Sequence, residues 1–302
     1  MSFNVSALST YTDQLSGELI TKAVLMGNTP KIVTVVPGIK SSQTINKLQS
    51  STFLTLGSCG FLNSGSTDLS QTTVTVVAMK ENLSFCLETL DQYYLQTKMK
   101  PGSYPEALPI EGAFAEDKAK QLSKAIDIAL WQGNKSTGTG NNALFDGFIK
   151  YIDNNSGSTV NIANTAITSS NGVAVIDAMV AKIPSDIVGL DNLTAFLSPA
   201  EFQNYLIDLR NKNYFHYTAD FDFEAGINHP GTSVRVRPIT GLQGSTRKFI
   251  APADVFVIGT DMLSDYESFK MWWSDDNQEV RYVAKFKLGV AISWLDFVVN
   301  AY

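Results

Sequence analysis

Charged side chains are scarce in this sequence of 302 residues. Lys, Arg, Asp and Glu make up 17% of it, whereas about 25% is usual for a globular protein. Ser, Thr, Asn and Gln take their place, and neutral polar groups cost less free energy to desolvate than charges do. This composition suits a protein that buries much of its surface against copies of itself.

The excess of acidic residues is modest. The formal net charge is −6 and the isoelectric point is about 5.0. A protein that binds nucleic acid through its bulk charge is basic, so this class is excluded. The net charge does not exclude a local basic patch that contacts nucleic acid.

Cysteine and histidine are nearly absent. The two cysteines, Cys59 and Cys86, have no C-x-x-C spacing and provide no disulfide framework, so we expect two reduced, partly buried thiols. The two histidines, His216 and His229, lie outside any zinc-binding motif. The sequence therefore predicts no metal site and no cofactor.

Long apolar runs are missing too. No run approaches the roughly 18 residues that a membrane helix needs, so no membrane contact is predicted. The first 21 residues contain no Lys or Arg, so the basic start of a secretory signal is absent. We expect a protein that folds in the cytoplasm.

The sequence also lacks catalytic motifs. It contains no G-x-S-x-G elbow and no phosphate-binding loop, and Gly138-x-Gly140 lacks the third glycine of a dinucleotide fingerprint. Asp220 and Asp222 alternate with phenylalanines, which places both carboxylates on one face of a strand. Such a pair can bind Mg²⁺, transfer protons or simply face water. We predict no catalytic, cofactor-binding or metal-binding residues.

What the sequence does contain is a long alternating segment near its end. From Val280 to Trp294 every second residue is apolar, and the residues between them include Arg281, Lys285 and Lys287. Strict alternation predicts a strand with one buried face. Its 15 residues, at about 3.3 Å each, would reach roughly 50 Å, whereas ordinary strands have about 5–6 residues. The basic face either keeps the strand soluble or contacts nucleic acid weakly.

The clearest helix is predicted over residues 112–132. Its apolar residues recur at steps of three and four, and Gly133-Asn134 provides a C-terminal stop. They are Ala115, Ala119, Leu122, Ile126, Ala129 and Leu130. A helix of about 20 residues is about 30 Å long, so we expect this stripe to cover the apolar face of 280–294.

A polar insertion of about 35 residues separates two predicted strands, 31–36 and 72–79. It is rich in Ser, Thr, Asn and Gly, and it includes one short apolar strand, 53–56. Structureless loops longer than about 12–15 residues are uncommon inside compact domains. We therefore predict a hairpin-like arm that projects from the body and whose apolar side chains contact another chain.

Helices and strands alternate in the middle of the chain. Residues 142–154 and 172–184 have helical patterns, and strands are predicted at 194–197, within 231–242 and within 253–263. Ser198-Pro199-Ala200-Glu201 is a capping box with proline at the first helical position, so an amphipathic helix should begin there.

The order of these parts resembles the major capsid proteins of tailed bacteriophages, which share the Hong Kong 97 fold with encapsulin shell proteins. Three parts of the chain carry the resemblance: "FAEDKAKQLSKAIDIALWQ" (114–132), "TAFLSPAEFQNYLIDLR" (194–210), and "ADVFVIGTDML" (253–263) taken together with the final strand. The match is one of element order over nearly the whole chain.

The resemblance implies an α+β fold with five parts. Residues 1–30 would form an N-terminal arm, and 31–80 an extended β-hairpin loop with its flanking strands. Residues 81–136 would form a peripheral domain whose spine helix, 112–132, lies on an elongated antiparallel sheet. Residues 137–266 would form a mixed α/β axial domain, and 267–302 would return to the peripheral domain as the long terminal strand.

The resemblance also implies a structural, non-enzymatic function in the virion. The protein would assemble in the host cytoplasm into an icosahedral shell around a double-stranded DNA phage genome. Its partners would be copies of itself in pentamers and hexamers, a portal, separate scaffold or decoration proteins, and weakly the packaged DNA. The alternatives are an encapsulin-like nanocompartment shell, a tail-tube or other virion component, and an enzyme that uses Asp220 and Asp222 with a metal.

Overall fold

The structure is a computed structural model that describes residues 28–57, 59, 65–85, 109–212, 225–261, 270–274, 276–277 and 279–302. Most of the predicted N-terminal arm lies outside these residues, as do Cys86, His216, Asp220 and Asp222.

The described part of the chain mixes helices with strands, as expected of an α+β fold. Its α-helices are α1 (Pro109–Gln132), α2 (Phe148–Asn154), α3 (Gly172–Val180) and α4 (Pro199–Asn211). Its strands are β1 (Thr34–Val36), β2 (Ser42–Ser51), β3 (Ser66–Thr75), β4 (Val77–Phe85), β5 (Val160–Ile162), β6 (Leu193–Leu197), β7 (Ile227–Asn228), β8 (Arg235–Pro238), β9 (Lys248–Pro252), β10 (Phe256–Thr260), β11 (Lys270–Ser274), β12 (Glu279–Ile292) and β13 (Val299–Ala301).

The first sheet is organised around β12, the long strand that the alternation predicts. It pairs antiparallel with β4, β10 and β11, while β1 joins β10 in parallel. The strand has 14 residues and ends at Ile292, before the predicted end at Trp294. The parallel β1 makes the sheet mixed, whereas the resemblance implied a purely antiparallel one.

One face of β12 is buried, as period-two alternation requires. The buried side chains are Tyr282, Ala284, Phe286, Leu288, Val290 and Ile292. On the opposite face Lys285 is exposed, while Arg281 and Lys287 are half-buried. The predicted division into an apolar and a basic face is confirmed.

Helix α1 covers the apolar face of β12 together with α2. Ile126, Ala129 and Leu130 of α1 are buried in the same core as Phe286 and Leu288 of β12. The helix begins at Pro109, earlier than predicted, because proline is well tolerated in a first helical turn.

The second helix on this face was not predicted there. Phe148 and Ile152 of α2 belong to the same core, and α2 lies close to β12. Leu122, Ile126, Ala129 and Leu130 of the predicted stripe therefore share the apolar face of β12 with α2. The side chains of Ala115 and Ala119 lie outside the described part of the structure.

Trp131, near the end of α1, lies where the two sheets of the body meet. The centroid of its ring is 5.1 Å from that of Phe148, 5.4 Å from Phe196, 5.6 Å from Phe249 and 5.5 Å from Phe256. These rings belong to α2, β6, β9 and β10, so one buried indole contacts both sheets. Each such aromatic pair adds about 0.5–1.5 kcal/mol beyond the burial of area.

The second sheet has the strand order β5-β13-β9-β6-β8-β7 and is covered by α3 and α4. Its core includes Ile176 and Met179 of α3, and Phe202, Tyr205 and Leu209 of α4. The final strand β13 lies between β5 and β9, so the chain leaves the first sheet and ends in the second. This last crossing was not predicted from the sequence, which placed 267–302 wholly with the first sheet.

Helix α4 begins as predicted, but its capping box is half formed. The Ser198 Oγ accepts a 3.4 Å hydrogen bond from the Glu201 backbone N–H, and Pro199 is the first helical residue. The Glu201 carboxylate instead accepts from the backbone N–H of Ile167 (3.2 Å) and pairs with the Lys248 Nζ (3.0 Å).

Further predicted elements differ from the structure, among them the strand predicted at 72–79, which is divided between the end of β3 and the start of β4. The helix predicted at 142–154 begins only at Phe148, because the Gly147 N–H donates to the Gly133 carbonyl (2.8 Å) and holds the preceding turn against the end of α1. The strand predicted at 31–36 is limited to β1, because Thr29–Lys31 form a 3₁₀ turn. Residues 53–56 form no strand.

Replacing Phe286 with Asp should destabilise the protein severely. The substitution places a carboxylate in the core beneath α1 and α2, and it adds a desolvation cost to the roughly 3–5 kcal/mol of a large-to-small change. Urea unfolding measures the effect. Lys285→Gln on the exposed face is the control and should shift stability by less than about 0.5 kcal/mol; a Phe286→Asp protein as stable as wild type would show that the buried face is misassigned.

Candidate assembly surfaces

The polar insertion folds into a long β-hairpin, as the sequence predicts. Strands β2 and β3 pair from Ser42 opposite Thr75 to Ser51 opposite Ser66, and they form a two-stranded sheet of their own. Most of their side chains are exposed. Because an isolated hairpin is at best marginally stable in water, this one needs support from the body or from another chain.

The end of the hairpin, residues 52–57, presents apolar side chains to water. Phe53, Leu54 and Leu56 are 69%, 90% and 95% exposed. Further along the hairpin, Leu48 and Leu69 are direct cross-strand partners, and both are exposed. Exposed apolar clusters of this kind mark contact surfaces.

Cys59 follows the hairpin end and is a free, exposed thiol. The expectation that both cysteines are partly buried is therefore wrong for Cys59, since the described residues before it, 52–57, are all exposed and offer it no core.

The base of the hairpin crosses the outer face of the first sheet. Val74 and Val76 pack with Ile39 against Val257 of β10 and Ala291 of β12. Part of the β12 face that was predicted to be wet is therefore covered by the chain's own hairpin.

Two glycines make this crossing possible. Gly259 of β10 and Gly289 of β12 lie directly opposite each other. A Cβ on Gly289 would collide with the carbonyl oxygen of Thr75, and one on Gly259 would lie 2.6 Å from Val74 Cγ1. The sheet thus has a gap without side chains where β3 passes over it.

A lysine further along the hairpin fixes it to the end of β12. The Lys47 Nζ donates a 2.7 Å hydrogen bond to the Ser293 carbonyl and lies 4.9 Å from the centroid of the Trp294 ring. A cation–π contact of this kind contributes about 0.5–1 kcal/mol at an exposed site. The hairpin is therefore held to the first sheet at two positions, at the glycine crossing and at Lys47.

The chain enters the body at a fixed point beside α1. The Thr29 N–H donates to Asp127 Oδ1 (3.1 Å), the Trp131 Nε1 donates to the Thr29 hydroxyl (2.8 Å), and the Asn28 side chain donates to the Pro238 carbonyl (2.8 Å). Burial raises the pKa of Asp127, although hydrogen bonds from the Thr29 hydroxyl and from the backbone N–H groups of Thr29, Gly241 and Asn28 favour its charged form.

A small basic patch lies on the uncovered part of the first sheet. Lys80 of β4 and Lys285 of β12 are direct cross-strand partners, and both are exposed. Nearby Lys287 pairs with Asp261, but within the described ranges no carboxylate pairs with Lys80 or Lys285. Like charges placed opposite each other are destabilising, so this patch would gain from a bound anion.

The one described histidine lies in a buried polar contact of the second sheet. His229 is buried, with 2.8 Å between its Nδ1 and the Tyr205 hydroxyl and 2.7 Å between its Nε2 and Asp177 Oδ1. Burial raises the pKa of Tyr205 far above its usual range. No group of three or more His, Cys, Asp or Glu side chains within the described segments could hold a metal ion.

None of the described helices has the length and apolarity that a membrane span requires.

Neither the glycine crossing nor the role of Lys47 was predicted from the sequence. A glycine inside a strand pattern often marks a close backbone approach, and Gly259 and Gly289 both lie inside predicted strands. That signal could have located the crossing, whereas the contact of Lys47 with residues 246 positions away leaves no trace in a local pattern.

No family model matches the sequence, and no curated protein matches it significantly. Solved structures match its fold. A chain of the satellite phage P4 procapsid, a structure that includes the size determination protein Sid, is 11% identical with a TM-score of 0.58, and the match covers 94% of this chain and 98% of that one.

Two further structures match at the same level. A chain from the capsid of an empty GTA particle is 14% identical with a TM-score of 0.57, covering 93% of this chain and 89% of that one. The virus-like particle from Pyrococcus furiosus is 10% identical with a TM-score of 0.53, covering 97% and 99%. The expected similarity to phage capsid folds is therefore confirmed.

Replacing Gly289 with Ala should displace the hairpin from the first sheet. The new methyl group collides with the Thr75 backbone, and forced overpacking of this kind typically costs about 1–3 kcal/mol. Urea unfolding combined with limited proteolysis of the hairpin measures both effects.

The matched control is Gly189→Ala, where a Cβ meets nothing within 4 Å. Unchanged stability and an unchanged proteolysis pattern in Gly289→Ala would contradict the close crossing.

Proposed function

We propose that this chain is the major capsid protein of a tailed bacteriophage, a structural and non-enzymatic subunit that builds an icosahedral shell around double-stranded DNA. The observation that carries the proposal is a hairpin with an exposed apolar end. It belongs to a fold that matches a procapsid chain over 94% of the present chain. A free subunit leaves this end in water, whereas a shell provides a neighbour to cover it.

In this proposal the two sheets correspond to two domains. The first sheet with α1 is the core of the peripheral domain, built from 81–136 and 267–302, and α1 is its spine helix. The second sheet with α3 and α4 is the core of the axial domain, 137–266. Strands β10 and β13 tie the two together, because β10 pairs with β12 and β13 pairs with β5 and β9.

The hairpin is the main assembly element, and its partner is a second copy of the chain. Its polar strands lose little free energy on desolvation, while Phe53, Leu54 and Leu56 supply apolar area at its end. Assembly that can correct itself needs contacts that are individually weak and collectively strong. A hairpin held at its base and free at its end provides contacts of this kind.

The patch of Lys80 and Lys285 would face the packaged DNA. Two exposed lysines can neutralise phosphates without reading sequence, and the overall net charge of −6 limits this contact to a weak one. The other partners in the proposal are copies of the chain in pentamers and hexamers, a portal, and scaffold or decoration proteins, with assembly in the host cytoplasm.

The second candidate is the shell of an encapsulin-like nanocompartment. The similarity to the virus-like particle from Pyrococcus furiosus over 97% of this chain favours it. The two candidates share the hairpin argument and differ in what the shell encloses, so the contents of purified particles distinguish them: phage DNA in one case and a cargo enzyme in the other.

Replacing Leu54 and Leu56 with Ser should abolish assembly without unfolding the subunit. Both side chains are almost fully exposed, so the folded monomer loses nothing, whereas a contact with a neighbour loses most of its apolar area. Negative-stain electron microscopy and size-exclusion chromatography, on protein expressed alone and with its co-encoded virion proteins, provide the readout.

The control is Val188→Ser, an exposed apolar residue outside the hairpin, which should keep the particles. Normal shells from the double variant would contradict the role of the hairpin. Tubes from wild-type protein would indicate a tail-tube component, and a monomer under all conditions would overturn the proposal.

Replacing Lys80 and Lys285 with Gln should leave assembly intact and weaken DNA binding. Each phosphate contact contributes about 0.9 to the slope of log affinity against log salt concentration, so losing both should reduce that slope by about 2. Titration of double-stranded DNA at several salt concentrations measures it. An unchanged slope would remove this patch from the inner surface of the shell.

A further inference from the structure

A fully buried lysine lies at the start of β9 in the second sheet. The side chain of Lys248 is 0% exposed. Its Nζ is 2.7 Å from the Asn164 Oδ1, 2.8 Å from the Thr246 carbonyl and 3.0 Å from the Glu201 Oε1. An ammonium, a carboxamide and a carboxylate therefore meet around one nitrogen atom.

Only one of the two carboxylate oxygens of Glu201 has hydrogen-bonding partners in this cluster. Oε1 accepts from the Ile167 N–H and pairs with Lys248. Oε2 is buried and, among the residues that the structure describes, has no hydrogen-bond partner. Proton transfer needs heavy atoms about 2.6–3.2 Å apart, and the Glu201 Oε1 lies 3.0 Å from the Lys248 Nζ. The Glu201 carboxylate can therefore accept protons from the amine and return them.

Asn164 is held so that its carboxamide stays against the lysine. Its backbone N–H donates to the Tyr302 carbonyl (3.1 Å), and its Nδ2 donates to the Thr246 hydroxyl (3.1 Å). The residue is half-buried, so a molecule released from its side chain can reach water.

The lysine is also poised to act as a nucleophile. Burial lowers its pKa, and the hydrogen bond and charge of Glu201 oppose this only in part. A desolvated lysine is activated because the neutral amine, and not the ammonium, carries the reactive lone pair.

We propose that Lys248 and Asn164 become joined by an isopeptide bond within one chain, with Glu201 transferring the protons. This modification lies apart from the assembly surfaces described above. The fixed proximity of the lysine and asparagine side chains accelerates bond formation, because well-oriented groups react as if present at an effective concentration of about 10⁵–10⁸ M.

The step balances without an oxidant or a co-reactant. Glu201 takes one proton from the Lys248 ammonium, and the neutral Nζ attacks Cγ of Asn164 to form the new N–C bond. The bond between Cγ and Nδ2 breaks as Glu201 returns the proton to the leaving nitrogen, which departs as ammonia. Glu201 then takes the second proton from Nζ and passes it to solvent.

The bond would close a covalent loop around the second sheet. Residues 164–248 include α3, β6, α4 and β8, so the loop contains most of the core of this sheet. Such a link restricts the unfolded chain and so resists unfolding, as a long-range disulfide does.

Mass spectrometry of the purified full chain tests the proposal. The denatured wild-type protein should be lighter than its sequence by one ammonia, and trypsin should yield one branched product that joins peptides 151–182 and 248–270. The branched product is required because a succinimide at Asn171-Gly172 also releases ammonia but links no peptides. A denaturing gel should show a single-chain band, which separates this bond from one between subunits.

Variants assign the roles of the three residues. Lys248→Arg and Asn164→Ala should each remove the branched product, and Glu201→Gln should reduce its yield at least tenfold. Asn211→Ala, at an exposed asparagine on α4 whose side chain donates only a 3.3 Å bond to the Ser169 carbonyl, should leave it unchanged. Wild-type protein that yields 151–182 and 249–270 as separate peptides, both after purification and after days at pH 8, would overturn the proposal.

Discussion

The packing of Trp131 is the contact on which the rest of the molecule depends. Its ring lies against phenylalanines from α2 and from strands of both sheets, and its Nε1 holds Thr29 where the chain enters the body. A buried indole satisfies its single donor and at the same time contributes the largest apolar area of any side chain. Because both sheets and the N-terminal anchor meet at this residue, their relative positions are fixed together.

The surfaces proposed for assembly are placed by this fixed body. The glycine pair in β10 and β12 admits the base of the hairpin, and Lys47 holds its strand to the end of β12. The apolar end of the hairpin then extends beyond the folded core, where none of the residues that the structure describes covers it. A subunit that binds its neighbours through a projecting element needs that element to be fixed at its base and to have exposed apolar side chains at its end.

Much of the fold could be predicted from local pattern. The alternation in 280–292 specified the buried face of β12, and the three-and-four spacing of Ile126, Ala129 and Leu130 specified the buried face of α1, because both patterns follow from backbone periodicity alone. Ser198 and Pro199 likewise determined where α4 begins, through the hydrogen-bonding needs of a helix end. The hairpin was predictable since an insertion of about 35 residues with so few apolar side chains cannot form a core of its own.

Other features were decided only by tertiary contacts. The entry of Val299–Ala301 into the second sheet, the crossing of β3 over Gly259 and Gly289, and the meeting of Lys248, Asn164 and Glu201 all join residues that are distant in sequence. By itself, the sequence determined which faces of its strands and helices avoid water. The tertiary structure decided which polar groups become neighbours in its interior, because that depends on how the elements pack and not on the period of any one of them.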